Sequence, residues 1–398
     1  MASVTLAGAD GTTVTLQFSS GANLLVGQAL AAAITAAVNS GAMASYSSKS
    51  GLPPLLPPGT VGEFVQYSSG PTALPRGYNA AVNAASNSTI VGAGGNDESV
   101  LSGTGGLTFL ATGGSGSVVA GGGANVVLIP VGDNGNWLVA TGNGNDTIVA
   151  TGGGRDTIEP GPGSNLITVG GGGDSIVLTG HDSVTATDGQ DTIDATGAKS
   201  ALILGGSAAI TFLGGAGPAT VFGGSGKATV AGGSGALLAY GGSGGNNSLL
   251  GGTGRATLFG SGTGDQLVGQ GSKPQDLVAG SGNETLSAAG SAGVDTLQAG
   301  SGHDLIIGGS GNDTFIAGIG SATLQAGSKV DTFTFIDGQA GGHDTIIGFG
   351  GMDKVVLQGY GSNAMANALA TQVDLGGSST ITLPDNTVVT FVGVGHVT

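Results

Sequence analysis

The sequence predicts an all-β fold: a parallel β-solenoid of about 18 residues per coil, built from short strands and glycine corners. Three observations carry that prediction. Glycine supplies 85 of 398 residues, far above the roughly 7% of ordinary proteins. Val, Ile and Leu nonetheless recur at regular intervals, and the mean hydropathy is +0.28, so flexible disorder, which is poor in such residues and rich in charge, does not fit. An acid also returns in fixed phase about every nine residues.

The repeat unit is visible in the blocks Gly-Asn-Gly-Asn-Asp-Thr-Ile at 142–148, Gly-Gly-Gly-Arg-Asp-Thr-Ile at 152–158 and Gly-Ser-Gly-His-Asp-Leu-Ile at 300–306. Each reads as a glycine turn, an acid, one variable residue and an inward aliphatic or Phe. The acid position runs through Asp146, Asp156, Asn165, Asp174, Asp182 and Asp191, and returns at Asp265, Asp276, Glu284, Asp295, Asp304, Asp313, Ala322 and Asp331. Nine residues make one corner and one strand, so two units close a coil, and coils stack at about 4.8 Å. Tight corners need positive φ, which glycine adopts cheaply. One small apolar residue per strand leaves only a thin core.

The acids supply what that core lacks. Asp plus Glu number 25 against 9 Lys plus Arg, a formal charge of −16. Such a chain lacks the basic footprint of a nucleic-acid binder and attracts cations. Stacked turns present backbone carbonyls, each acid adds a carboxylate, and six to eight oxygens suit Ca²⁺ better than Mg²⁺. An isolated Asp is an ordinary turn former; a series in phase is a ligand set. The predicted metal ligands are Asp146, Asp156, Asp174, Asp182, Asp191, Asp276, Asp295, Asp304, Asp313 and Asp331. Ions are expected between Asp156 and Asp174, Asp174 and Asp191, Asp295 and Asp313, and Asp313 and Asp331, with Asn165–Asp182 and Glu284–Asp304 as weaker pairs on the opposite edge.

These blocks resemble the repeat-in-toxin (RTX) family, whose nonapeptide is Gly-Gly-x-Gly-x-Asp-x-apolar-x; residues 308–315 match it completely. The resemblance implies a parallel β-roll, calcium-dependent folding and type I export. Residues 331–357 look like the end of such an array. Ser379 to Val392 reads as a β-hairpin turning at Asp385-Asn386 and is similar to the family's C-terminal secretion region. No positive n-region precedes an apolar stretch at the N-terminus, since residues 1–48 hold no Lys or Arg, so an uncleaved C-terminal signal is the expected route.

The expected organisation follows. Residues 1–87 form a small α+β module, with a hairpin at 3–18 turning at Asp10-Gly11, an Ala-rich helix at about 22–39 and a Pro53-Pro54…Pro57-Pro58 break. That module either caps the open first coil or binds a ligand. The array spans 88–335, with calcium blocks at about 142–194 and 265–335. Between them, Ala195 to Gly264 holds no Asp or Glu, so this section is expected to be metal-free. Residues 336–398 form the C-terminal cap and secretion region.

In the strand frame of the acid-free section, Leu204, Phe222, Tyr240 and Phe259 follow the inward residue and point outward, unless twist or register turns some of them in. An outward apolar column is a contact surface. No catalytic site is expected. Three of the four histidines sit at the variable turn position before Asp, no His-Glu-x-x-His exists, and only three Arg are present, too few for the acid-and-base clusters of polysaccharide-cleaving β-helices. Gly241-Gly-Ser243-Gly-Gly245 matches a nucleophile elbow by string alone. The apolar stretch Leu24 to Val38 is shorter than the roughly 20 residues of a membrane span, so no membrane insertion is expected. The expected function is a secreted, self-associating structural protein of a surface layer, filament or biofilm matrix, meeting itself and cell-surface polysaccharide. The alternatives are an adhesin acting through residues 1–87 and an ice-binding roll, for which the Thr ranks are irregular.

Overall fold

The computed structural model describes residues 2–18 and 22–398, which divide into two compact units, residues 1–209 and 210–398. Each is a parallel β-solenoid, and together they contain about 17 coils of about 19 residues.

In the first unit, strands Leu107–Leu110, Val126–Ile129, Thr147–Ala150, Leu166–Val169, His181–Ala186 and Ser200–Gly205 pair in parallel and in register. Their inward column is Phe109, Val127, Ile148, Ile167, Val184 and Ile203. A second sheet supplies Val100, Val118, Val139, Ile158, Ile176 and Ile193. All twelve are fully buried. A one-residue slip would carry every one of them to the outside, so the core fixes the register.

The second unit repeats the plan. One sheet stacks Val221, Ala239, Leu258, Leu277, Leu297, Phe315 and Phe333, and the other runs from Phe212 and Val230 to Ile346 and Phe391. The core changes from aliphatic to aromatic toward its C-terminal end. Phe315 stacks on Phe333 at 4.7 Å, and Phe349 bridges Phe333 and Phe391 at 5.9 and 5.1 Å. The final hairpin, Ser378–Thr382 against Val388–Val392, turns at Asp385-Asn386 with Asn386 at φ 72, as its sequence indicated.

Two features differ from the sequence expectation. Parallel coiling begins well before residue 88. Met43–Ser47 pairs with Val61–Gln66, which pairs with Tyr78–Asn83, and Gly70–Ala73 pairs with Ser88–Val91. These coils lack the glycine-and-acid corner, so their spacing carries no signature. The Pro-rich break packs beside them, with the Tyr78 hydroxyl donating to the Pro54 carbonyl at 3.0 Å.

The N-terminal elements do not cap the coil end. The hairpin Ala2–Ala7/Thr13–Phe18 and the helix Ala22–Asn39 form where predicted, but they lie on the flank of a sheet. Val4, Leu6, Val14, Leu16, Phe18, Ala31 and Ile34 share one cluster with Val65, Ala80, Val82, Leu101 and Val119. Those last five alternate with the inward residues of their strands, so the strands are buried on both faces, as their continuous apolar runs require.

Candidate metal centres

The corner residues build one repeated site. In each coil the acid precedes a variable residue and the inward apolar one, which places its carboxylate under the glycine turn. One carboxylate oxygen then accepts the main-chain N–H of the equivalent residue one coil earlier. In the first unit, Trp137, Asp156 and Asp174 donate in this way to Asp156, Asp174 and Asp191 at 2.8, 2.8 and 3.0 Å. On the other edge, Asn125 donates to Asp146 at 2.8 Å, and Asn165 donates to Asp182 at 3.4 Å.

The second unit has two such ladders as well. Gln275, Asp295, Asp313 and Asp331 donate to Asp295, Asp313, Asp331 and Asp353 at 2.8, 3.1, 2.8 and 2.8 Å. Opposite them, Asn247, Glu284 and Ala322 donate to Asp265, Asp304 and Asp344 at 2.8, 3.0 and 2.8 Å.

The predicted sharing pairs are therefore neighbouring rungs: Asp156, Asp174 and Asp191 on one ladder, Asp295, Asp313 and Asp331 on another. Asp182 and Asp304 stand on the opposite ladders, beside Asn165 and Glu284. Asp276 is the exception. It falls one place late, between Thr257 and Thr296 on the half-exposed outer face, and Gln275 takes the rung. The sequence carries the sign: Leu277 follows Asp276 directly, with no variable residue between.

The turns above these acids are packed to the limit. A Cβ on Gly172, at φ +103, would stand 1.7 Å from the Gly154 carbonyl oxygen, and one on Gly311 would stand 1.5 Å from that of Gly293. Only glycine lets successive corners approach so closely, and the approach crowds carbonyl oxygens over the carboxylates.

The second carboxylate oxygen decides the chemistry. Those of Asp146, Asp174, Asp191, Asp295 and Asp344, with one from Glu284, are buried without a hydrogen-bond partner. An unpaired buried carboxylate is among the most costly groups a fold can hold. Burial raises Asp174 to about 7, and the Asp156 and Asp191 carboxylates push it the same way. Burial likewise raises Asp156 and Asp191 to about 6, and Asp344 and Glu284 to about 7. Asp146, Asp182, Asp295, Asp304, Asp313 and Asp331 are raised by the same cause.

Oxygen-only donors in tight stacks, each short of a positive partner, fit a hard divalent cation. No three acidic, His or Cys side chains converge on a point among the described residues, so carbonyls of the glycine turns would complete the coordination sphere. When bound, Ca²⁺ supplies charge neutralisation and cross-links successive coils.

Several rungs escaped the sequence reading. Asp344 and Asp353 lie 22 residues after Ala322 and Asp331, outside the expected interval. Asn125, Asn247 and Gln275 are amides where an acid was sought. Glu98 and Glu63 are fully buried, each with one unpartnered oxygen. Glu98 reaches back to the Ala93 N–H at 3.1 Å, much as Glu284 reaches the Gly280 N–H at 2.9 Å. Glu63 accepts the Ser45 hydroxyl, and burial raises both glutamates to about 7.

Of the four predicted outward apolar residues, three form one stack. Phe222, Tyr240 and Phe259 occupy matching places on successive strands, with centroids 5.0 and 4.6 Å apart and rings within 7° and 6° of parallel. Phe222 is 39% exposed. Leu204 is also exposed, but lies in the first unit, paired with Thr185.

A parallel solenoid whose corners collect buried carboxylates belongs, as a class, to the metal-stabilised β-rolls. Comparison with known families narrows this. Residues 131–167, 140–176 and 289–324 match the RTX calcium-binding nonapeptide repeat (four copies). These repeats and the parallel β-solenoid fit a β-roll of the RTX type, and RTX nonapeptide repeats bind Ca²⁺, several ions in an array. No match is found among curated proteins or solved structures. RTX repeats are characteristic of secreted proteins, and no described helix is long and apolar enough to cross a membrane.

Proposed function

We propose that this protein is an extracellular structural element that becomes rigid on meeting calcium and then associates with copies of itself. One observation carries the reading: Asp146, Asp174, Asp191, Asp295, Asp344 and Glu284 are buried at the corners with an oxygen unmet, a cost that a bound ion would relieve. Cytosolic calcium is too low to fill sensor-class sites, whereas extracellular modules work at about 10⁻⁴–10⁻³ M. A chain that stays loose inside the cell and folds outside suits export through a narrow channel, with type I secretion as the route. No step of this role calls for catalysis. The protein acts by its shape and surface.

Self-association draws on the stacked Phe222, Tyr240 and Phe259. Parallel rings on successive strands form a flat, rigid patch that loses little side-chain freedom on contact, which is why aromatic residues dominate interfaces. The formal charge of −16 opposes association until calcium neutralises part of it, so assembly is expected to follow calcium as well as folding.

Electron microscopy of purified protein with and without calcium tests this. Ordered fibres or sheets are expected with calcium, and dispersed particles in chelator. Phe222→Ser with Phe259→Ser should abolish assembly while leaving the calcium-bound circular dichroism spectrum unchanged. Assembly that persists in the double variant rules out this surface, and dispersed particles at millimolar calcium rule out self-association.

A further inference from the structure

We infer that Asn165 and Asn247 are built-in replacements for the cation, so that their corners hold without metal while the Asp174–Asp191 corner does not. The inference deepens the calcium reading by separating open corners from closed ones.

Both asparagines stand on the acid ladders, 3% and 1% exposed. The Asn247 amide nitrogen donates to the Gly242 carbonyl at 2.7 Å and to the Asp265 carboxylate at 2.8 Å. That of Asn165 donates to the Gly161 carbonyl at 3.1 Å and the Asp182 carboxylate at 2.7 Å. In each case one NH₂ group meets a turn carbonyl and the acid of the next coil, the same two kinds of oxygen a cation would bridge. The amide orientation is dictated by its surroundings: the nitrogen faces acceptors only, and the oxygen faces main-chain N–H groups, of Ala228 and Gly242 for Asn247 and of Asp146 for Asn165.

The other oxygen of Asp265 accepts the N–H groups of Ser261 and Gly262 at 2.9 and 3.1 Å, and that of Asp182 accepts from Gly180 at 2.9 Å. Where the preceding rung is an acid, no amide donor reaches the next carboxylate: the second oxygens of Asp174 and Asp191 stay unmet, while Asp304, Asp313 and Asp331 take an N–H from Gly300, Gly309 and Gly327 of their own turns. Asn125 is an intermediate case. It donates to Asp146 at 2.9 Å, but the second Asp146 oxygen remains unpartnered.

The consequence is a division of labour along the chain. Asn247 lies within the acid-free section, and its contact with Asp265 closes the corner where that section meets the acids of the second unit. This stretch is fastened by hydrogen bonds that calcium removal leaves intact, and so offers a metal-independent segment from which calcium-dependent coils grow.

The test compares wild type with Asn247→Asp, Asn165→Asp and the reciprocal Asp174→Asn, by thermal melting in EGTA and in calcium and by counting bound calcium in equilibrium dialysis. Asn247→Asp and Asn165→Asp should each lower the midpoint in EGTA by about 10 °C, since a buried acid loses its donor. Each should bind one more calcium than wild type and recover in its presence. Asp174→Asn should do the reverse, losing bound calcium and melting higher in EGTA than wild type. If either asparagine variant melts with wild type in EGTA, or adds no calcium, the inference is overturned. Wild type that binds no calcium at all would instead defeat the calcium reading, while the EGTA melts still judge the asparagines.

Discussion

Asp313→Ala is expected to lower the thermal midpoint in saturating calcium by about 10 °C or more, the largest effect of any single corner substitution. Asp313 is the middle of three stacked aspartates. It accepts the Asp295 N–H at 3.1 Å and the Gly309 N–H at 2.6 Å, and its own N–H donates to Asp331. Its removal leaves two buried donors unmet and takes a carboxylate from the corner on either side. Each vacated donor costs about 1–3 kcal/mol. Each ion lost at 100-fold its dissociation constant costs about 2.7 kcal/mol more. At about 2–4 °C per kcal/mol for a unit of this size, the sum exceeds 10 °C. In EGTA the same substitution also removes a buried charge, so the loss should shrink. Melting curves of both proteins in both buffers check this. Equal losses with and without calcium would mean that Asp313 is only a turn former.

The second large effect is the removal of pH dependence by calcium. The buried acids have folded-state values near 6 to 7 for Asp156, Asp174, Asp191, Glu284 and Asp344, against about 4 in the unfolded chain. Between those values the metal-free folded protein holds protons that the unfolded chain has released. Its stability is therefore fully present below about pH 4 and falls as pH rises to about 7. Each such acid contributes up to about 1.4 kcal/mol per pH unit in that window. Calcium competes with those protons for the same oxygens, so the calcium-bound form has released them and its stability no longer falls over that range. Midpoints measured from pH 5 to 8 should fall with pH in EGTA and stay level in calcium. Parallel curves would show that the cation does not bind at these carboxylates.

The coil was legible because a period of nine repeats a physical necessity. Every coil needs a corner, and every strand needs an inward apolar residue, so Ile148, Ile158, Ile167 and Ile176 could be placed from spacing alone. The hairpin at Asp385-Asn386 and the helix at 22–39 were legible for local reasons of turn chemistry and alanine content. The coils before residue 88 were not. Their strands are apolar on both faces, because the N-terminal helix and hairpin cover Val65, Val82, Leu101 and Val119, and a doubly buried strand erases the alternation that marks a solenoid. No local pattern announces such a tertiary cover.

At the corners, searching for acids at intervals of about nine found most rungs, passed over Asn125 and Asn247, and missed Asp344 beyond its 22-residue step. It also took Asp276, where the more reliable rule is the two-residue step from rung to inward residue. That step places Gln275, Asn247, Asn125 and Asp344 correctly. Which acids lack a second partner depends on whether an N–H of their own turn faces the carboxylate, as those of Gly300, Gly309 and Gly327 do, and the residue string does not reveal it.

The central claim is that ions lodged between coils supply the stability the thin core lacks. Calcium titration of the EGTA-treated chain, followed by far-ultraviolet circular dichroism, measures this directly. A cooperative gain of β-signal is expected as calcium rises through the 10⁻⁴–10⁻³ M range typical of extracellular modules, with several ions bound per chain. A full β-spectrum in chelator, unchanged by added calcium, would contradict it.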